Sequence, residues 1–254
     1  MAIERKPEPK WTLVVDADRC SGCQACVVAC QAENNVPLNT DAIFNQKRAH
    51  EWIRIERYWV SDDPEKRPDE IDFSKVKAKF LPLMCQQCEN APCEPVCPVY
   101  ATYHNDQGLN VQVYNRCIGT RYCANNCNYQ VRFFNFWEPV WPETLRNQLN
   151  PDVTVRSRGI MEKCTFCVQR IRRGIRTAIR EDRDVRDGDV TPACVQSCPT
   201  GALTFGNIKD EKSAVHKLAE DARHYRLLEE QGTGPNVVYL KKVDTHAAED
   251  KGHE

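Results

Sequence analysis

Thiol chemistry dominates what this sequence can do. Fifteen of its 254 residues are cysteine, and all fall in four short groups. The first is Cys20-x2-Cys23-x2-Cys26-x3-Cys30 and the second Cys85-x2-Cys88-x4-Cys93-x3-Cys97. The third, Cys117-x2-Thr120-x2-Cys123-x3-Cys127, repeats the first group's spacing with Thr120 in place of its second cysteine. The fourth is Cys164-x2-Cys167 and, after an insertion, Cys194-x3-Cys198-Pro199. An odd number of cysteines cannot all pair as disulfides within the chain, and a chain this long has no need of such staples. Four groups of four, one place short at Thr120, account for the whole inventory. Such spacing calls for a prosthetic group that takes several thiolates at once.

The C-x2-C-x2-C-x3-C run is that of bacterial ferredoxins with two cubane clusters. Three cysteines curl round three corners of one [4Fe–4S] cube, and the fourth points away to the other cluster. One run cannot complete a cluster, so the groups work in pairs: four groups mean two ferredoxin modules and four clusters. The competing reading is a zinc-stabilised interaction module, since Cys164 and Cys167 with Cys194 and Cys198 would suit a tetrahedral zinc ion. Zinc, however, has no use for three successive cysteines spaced by two and a fourth three residues on. At Thr120 a hydroxyl replaces a thiolate and is a poor ligand for iron. The expectation is three [4Fe–4S] clusters and one [3Fe–4S] cluster, the latter on Cys97, Cys117 and Cys123. A four-iron cluster with water or Thr120 on the fourth iron is the alternative.

The elements that must position these thiols give an α+β fold of two dicluster ferredoxin-like modules, one inserted in the other, with hairpin and helical additions. Residues 98–103 and 109–114 read as strands flanking a Gly-containing turn, a hairpin that joins groups two and three. Groups one and four are left to each other, closed by short strands at 12–15 and 201–205 lying side by side. The division is 11–80 (first half of module A plus an insertion), 81–137 (module B, with the three-iron cluster), 138–208 (linker and second half of module A) and 209–254 (C-terminal additions). A strand is expected at 50–59, a polar loop at 61–72, a helix at 168–180, a solvated helix at 214–230, a strand at 237–240 and a charged, mobile tail from 244.

Composition narrows the function classes. With 28% charged and 41% hydrophobic residues the chain is a globular one. It has no apolar run near the length of a membrane span, and residues 1–10 carry no signal-peptide core. The formal charge of −1 becomes roughly −9 once four clusters at about −2 each are counted, so nucleic-acid binding is not expected. Arg170, Arg172, Arg173, Arg176, Arg180 and Arg183 either offset buried negative charge, dock a partner or form a solvated helix face. The aromatic run 133–141 either keeps water from a cluster or docks a membrane subunit. No nucleophile–base pair, phosphate loop or dinucleotide fingerprint is present, so catalysis would belong to an assembly.

The order of the four groups resembles that of the four-cluster iron–sulfur subunits of the complex iron–sulfur molybdoenzyme family. The stretches 29–35, 50–55, 116–127 and 150–159 are similar to two of its branches: the iron–sulfur portion of alternative complex III and the free-standing iron–sulfur subunits of quinone reductase (Qrc-type) complexes. Met1 lies almost directly before the first module, which favours the second branch. The resemblance covers roughly residues 11 to 243 and implies crossed ligation. Cys20, Cys23 and Cys26 would join Cys198; Cys164, Cys167 and Cys194 would join Cys30; Cys85, Cys88 and Cys93 would join Cys127. Cys97, Cys117 and Cys123 would hold the three-iron centre. It further implies a hetero-oligomeric complex with a molybdopterin-oxidoreductase-like subunit, an NrfD-like integral membrane quinone-binding subunit nearest the three-iron cluster, and a multihaem cytochrome c. Electrons would pass to menaquinone. The place implied is the periplasmic face, reached by co-export with a signal-bearing partner, with the cytoplasmic face as the alternative. One departure is that Gln31 and Asn128 follow Cys30 and Cys127, where ferredoxins carry proline.

Overall fold

Residues 11–16 are too apolar to leave either face in water, and such a strand belongs inside a sheet. The computed structural model, which describes residues 8–60, 68–70, 72 and 76–243, puts it there. In chain order the elements are β1 (Trp11–Asp16), α1 (Ala25–Glu33), α2 (Asp41–Asn45), β2 (Ile53–Val60), β3 (Lys77–Met84), β4 (Thr102–His104), β5 (Asn110–Gln112), α3 (Tyr122–Asn125), β6 (Phe133–Phe134), α4 (Glu143–Arg146), β7 (Met161–Glu162), α5 (Val168–Arg180), α6 (Ala193–Gln196), β8 (Leu203–Asn207), α7 (Ala214–Ala219), β9 (His224–Tyr225) and β10 (Val237–Leu240). One sheet runs β8-β1-β10-β9; β2–β3, β4–β5 and β6–β7 are separate antiparallel pairs.

The expected neighbours at the two ends of the chain pair as foreseen. β1 is antiparallel to β8, with Leu13 opposite Phe205. On its other side β1 runs parallel to β10, Leu13 opposite Val237. Alternation then divides the sheet's faces. Trp11, Leu13, Val15, Phe205, Val237 and Tyr239 enter the large core that also holds most of the buried cysteines. Val14, Val238 and Leu240 face the other way and are covered by Val215 of α7.

Three expectations need correction. The helix over 214–230 stops at Ala219, and the chain turns back through β9 to pair Tyr225 with Tyr239. The turn is held by Asp221, whose carbonyl accepts from the His224 amide, and by Arg223, which reaches the Asp16 carboxylate. Sheet pairing there replaces helical bonds. Nor is α7 a solvated helix, since Val215 is fully buried. The 98–114 hairpin forms, but only over Thr102–His104 and Asn110–Gln112, because residues 97–101 curl back so that the Ala101 amide meets the Cys97 sulfur. The strand expected at 50–59 begins at Ile53, and its partner β3 was not foreseen. Most of the 61–72 loop and the tail from 244 lie outside the described residues. No helix among the described residues is long and apolar enough to cross a membrane.

Candidate metal centre

Each cysteine group is shaped by a residue in the left-handed region directly before, or in, its second thiol position. Gly22 (φ 73°), Gln87 (φ 48°), Gly119 (φ 72°) and Phe166 (φ 53°) occupy the same place in the four groups. In groups one and three a second such residue follows, Gln24 (φ 62°) and Arg121 (φ 63°), and starts the helix that carries the next cysteine. Thr120 therefore sits on the backbone that Cys23 has in group one. On α1, Cys26 and Cys30 are four residues apart and both buried. Gly119 is fixed twice over: a β-carbon there would strike the Gly159 carbonyl oxygen, and its φ is costly for any side chain. Gly119→Ala is accordingly expected to cut the iron content of the purified protein, while Gly159→Ala, with open space around its α-carbon but the same φ restriction, should cost less.

The fold gathers the thiols into four nests. Cys20, Cys23, Cys26 and Cys198 line one small cavity together with Gly22, Ile55 and Pro82. Cys85, Cys88, Cys93 and Cys127 line another, beside Tyr129 and Arg132. Cys30, Cys164, Cys167 and Cys194 meet in a third place, where the Asn34 amide lies 3.5 Å from the Cys30 sulfur and 3.6 Å from that of Cys167. Cys123 faces Cys117 and Cys97 in the fourth. Thr120 itself lines a wide open cleft with Lys47, Arg48, Arg54, Arg121 and Phe136. Among the described residues no three Cys, His, Asp or Glu side chains are close enough to share a single metal ion. The thiols are spread round spaces, whereas zinc needs sulfurs drawn to about 2.3 Å of one point.

The electrostatics suit a polynuclear cation. Burial, then the neighbouring charges of Cys20, Cys198 and Cys23, pushes the Cys26 thiol up to about 12. Burial and then Cys85 do the same at Cys88, also to about 12. Cys30 and Cys194 are raised well above the ordinary range, by burial first and by their nest-mates after it. Thiolates this crowded are unstable alone and become stable round a shared positive core. Two thiols go the other way. Burial raises Cys97 and Cys198, but it is outweighed by hydrogen bonds: the Val99, Ala101 and Thr102 backbone at Cys97, and the Thr200 hydroxyl with the Ala202 and Leu203 backbone at Cys198. These are the two Cys-Pro corners, with Ala101 and Ala202 amides 3.1 and 3.2 Å from the sulfurs. The donor set and its backbone N–H···S bonds fit iron–sulfur clusters.

Other elements are divided between the readings the sequence left open. Arg170 is tied to Glu33 at 2.7 Å, Arg173 to Asp152 at 2.7 Å, and Arg183 to Asp189 and Glu181, so half of the basic run is balanced within the chain. Of the aromatic run, Phe133 and Phe134 pack against the core through β6, whereas Trp137 and Val140 are exposed. Sequence reasoning missed Gln87, buried and bridging the Cys164 carbonyl (3.0 Å) to the Asn110 amide (3.0 Å) between groups four and two. It also missed Arg132 and the Arg156–Glu162 pair. A lone arginine in the apolar run 131–134 is the signal that was available.

Comparison with known proteins agrees with this chemistry. The family described as "4Fe-4S dicluster domain" matches residues 76–141. The chain is 43% identical over 237 residues to the menaquinone reductase iron-sulfur cluster-binding subunit of Nitratidesulfovibrio vulgaris, covering 92% of this chain and 89% of that one. It is 36% identical to the Hdr-like menaquinol oxidoreductase iron-sulfur subunit 1 of Archaeoglobus fulgidus, over 94% and 86% of the two chains. It is 32% identical to the polysulfide reductase B subunit of Wolinella succinogenes, over 91% and 94%.

Proposed function

Because the chain belongs to the family of iron–sulfur electron-transfer subunits of menaquinone reductase and related molybdoenzyme complexes, we propose that it relays single electrons through four clusters to a quinone held by a neighbouring subunit. The observation that carries this is the gathering of fifteen cysteines into four nests with one hydroxyl at the place of a sixteenth. The ligand sets are Cys20, Cys23, Cys26 and Cys198; Cys30, Cys164, Cys167 and Cys194; Cys85, Cys88, Cys93 and Cys127, each for a [4Fe–4S] cluster. Cys97, Cys117 and Cys123 hold a [3Fe–4S] cluster with Thr120 at the vacant corner. Clusters supply one-electron redox chemistry; the chain's own residues fix their spacing, exclude water and set the surrounding charge.

Module B, at 81–137, is inserted in module A, whose halves lie at 11–80 and 138–208; the pairing of β1 with β8 supports this division. The partners are a molybdopterin-oxidoreductase-like subunit, an NrfD-like membrane subunit that binds menaquinone, and a multihaem cytochrome c as electron source. The chain is peripheral, on the periplasmic face. A protease added outside intact cells should then cleave it only after the outer envelope is opened, without lysis of the inner membrane; protection until lysis would place it on the cytoplasmic face. The same wire in a polysulfide reductase is a second reading, favoured by the likeness to the B subunit of that enzyme. Reduction of menaquinone rather than polysulfide by the assembled complex separates the two. Anaerobically purified protein is expected to hold about 15 irons and about 16 acid-labile sulfides. About four zincs and no sulfide would overturn the proposal.

A further inference from the structure

Between the second and third cysteine groups the chain buries a guanidinium. Arg132 is 6% exposed and donates to Gln112 Oε1 at 2.9 Å, Thr102 Oγ1 at 2.7 Å and Asn110 Oδ1 at 3.0 Å. All three acceptors are neutral, so they fix the fork in place without cancelling its charge. Arg132 lines the cavity enclosed by Cys85, Cys88, Cys93 and Cys127, and it also lines the cleft that holds Thr120. One fixed positive charge thus touches both cluster sites of module B. Burial works against that charge, but the sulfurs of Cys93, Cys123, Cys85 and Cys127 more than restore it.

The other module is built differently, with Lys242 bearing on Cys20 in one of its nests. Where its nest of Cys30 and Cys167 meets a polar side chain, that side chain is the neutral amide of Asn34. Arg170 approaches the same nest but is paired with Glu33 at 2.7 Å. Lys163, fully buried, bears on Cys93 and on Cys164 alike, so its charge is shared by the two modules.

We propose that Arg132 is a positioning charge for the electron: it raises the reduction potentials of both module B clusters above those of module A, and so makes the Thr120 end of the wire the downhill end. Reducing a buried cluster adds one negative charge in a medium of low dielectric, and a fixed cation beside it lowers that cost. The inference rests on the cluster reading above.

The test is an EPR-monitored titration of the assembled complex with dithionite as one-electron reductant, after iron and sulfide have been measured. Loss of the clusters from the wild-type protein would defeat the functional reading; intact clusters with unmoved potentials would defeat this one. Arg132→Gln should lower the midpoint of the three-iron signal at least tenfold in equilibrium constant, about 59 mV, together with one four-iron signal, and leave the other two unchanged. Arg132→Lys, which keeps the charge but not the fork, should recover most of the shift. Equal shifts in both variants would mean a role in hydrogen bonding alone and overturn the proposal. If Arg132→Gln does not assemble, Gln112→Glu sets a carboxylate against the intact guanidinium at nearly constant shape. It should produce the same fall, and no fall there is equally decisive against it.

Discussion

Replacing Thr120 by cysteine is expected to abolish the near-isotropic EPR signal of the oxidised protein and to add one iron per chain. The backbone argues for a full conversion. Gly119 and Arg121 hold φ values of 72° and 63°, against 73° and 62° at Gly22 and Gln24, so a sulfur at position 120 would be presented as Cys23 presents its own. Nothing need rebuild, because Thr120 already opens on a wide cleft rather than a packed core. A fourth thiolate completes the donor set and makes retention of the fourth iron favourable. Thr120→Ser keeps a hydroxyl of poor affinity and should leave the signal in place. Persistence of the three-iron signal at full intensity in the cysteine variant would show that the vacancy is set by something other than residue 120. The assignment of the vacant corner to Thr120 would then have to be withdrawn.

Cluster chemistry was legible in this sequence because ligand spacing is a local property. A run such as Cys20 to Cys30 must wrap the same object whatever the rest of the chain does. The meeting of the chain's two ends was legible too, because the short strands beside Cys20 and Cys198 were sticky enough to pair. What escaped notice depends on non-local balance. The segment 214–230 has helical composition, yet sheet pairing by Tyr225 against Tyr239 and the pull of Asp16 on Arg223 win over local propensity. β3 escaped because its outer half, at Lys77–Phe80, is only partly buried and shows no clean alternation. The charges that surround the clusters escaped for a deeper reason. Arg132 is an ordinary residue by type, and only the fold makes it the cation between two thiol nests.

The same holds for the buried pair between Arg156 and Glu162, whose removal should have the largest effect on stability. Both side chains are completely inaccessible and meet at 2.9 Å. Glu162 also accepts from Trp52 Nε1 at 3.1 Å and Asn135 Nδ2 at 2.6 Å. Arg156 donates to the Asn34 and Asn35 carbonyls at 2.8 and 2.9 Å, and its guanidinium lies 5.0 Å from the centre of the Trp52 ring. The pair therefore ties the chain just after Cys30 to β7 just before Cys164, two groups assigned to one nest. The Met161 amide, next in the chain, reaches the Cys117 sulfur at 3.4 Å. Glu162→Gln preserves shape but strands the guanidinium, and breaking one side of such a pair costs about 3–5 kcal/mol. Since the pair's attraction only roughly offsets its desolvation, Arg156→Met with Glu162→Leu should cost less than the sum of the single changes, even though it forfeits bonds to the backbone. Thermal bleaching of the cluster absorbance, followed alongside circular dichroism, measures both. In the glutamine variant the two signals should fall together and well below the wild-type temperature, because the nest loses its alignment when the strap fails. A Glu162→Gln protein that bleaches and unfolds within a degree or two of wild type would show that the pair fills space without holding the modules together.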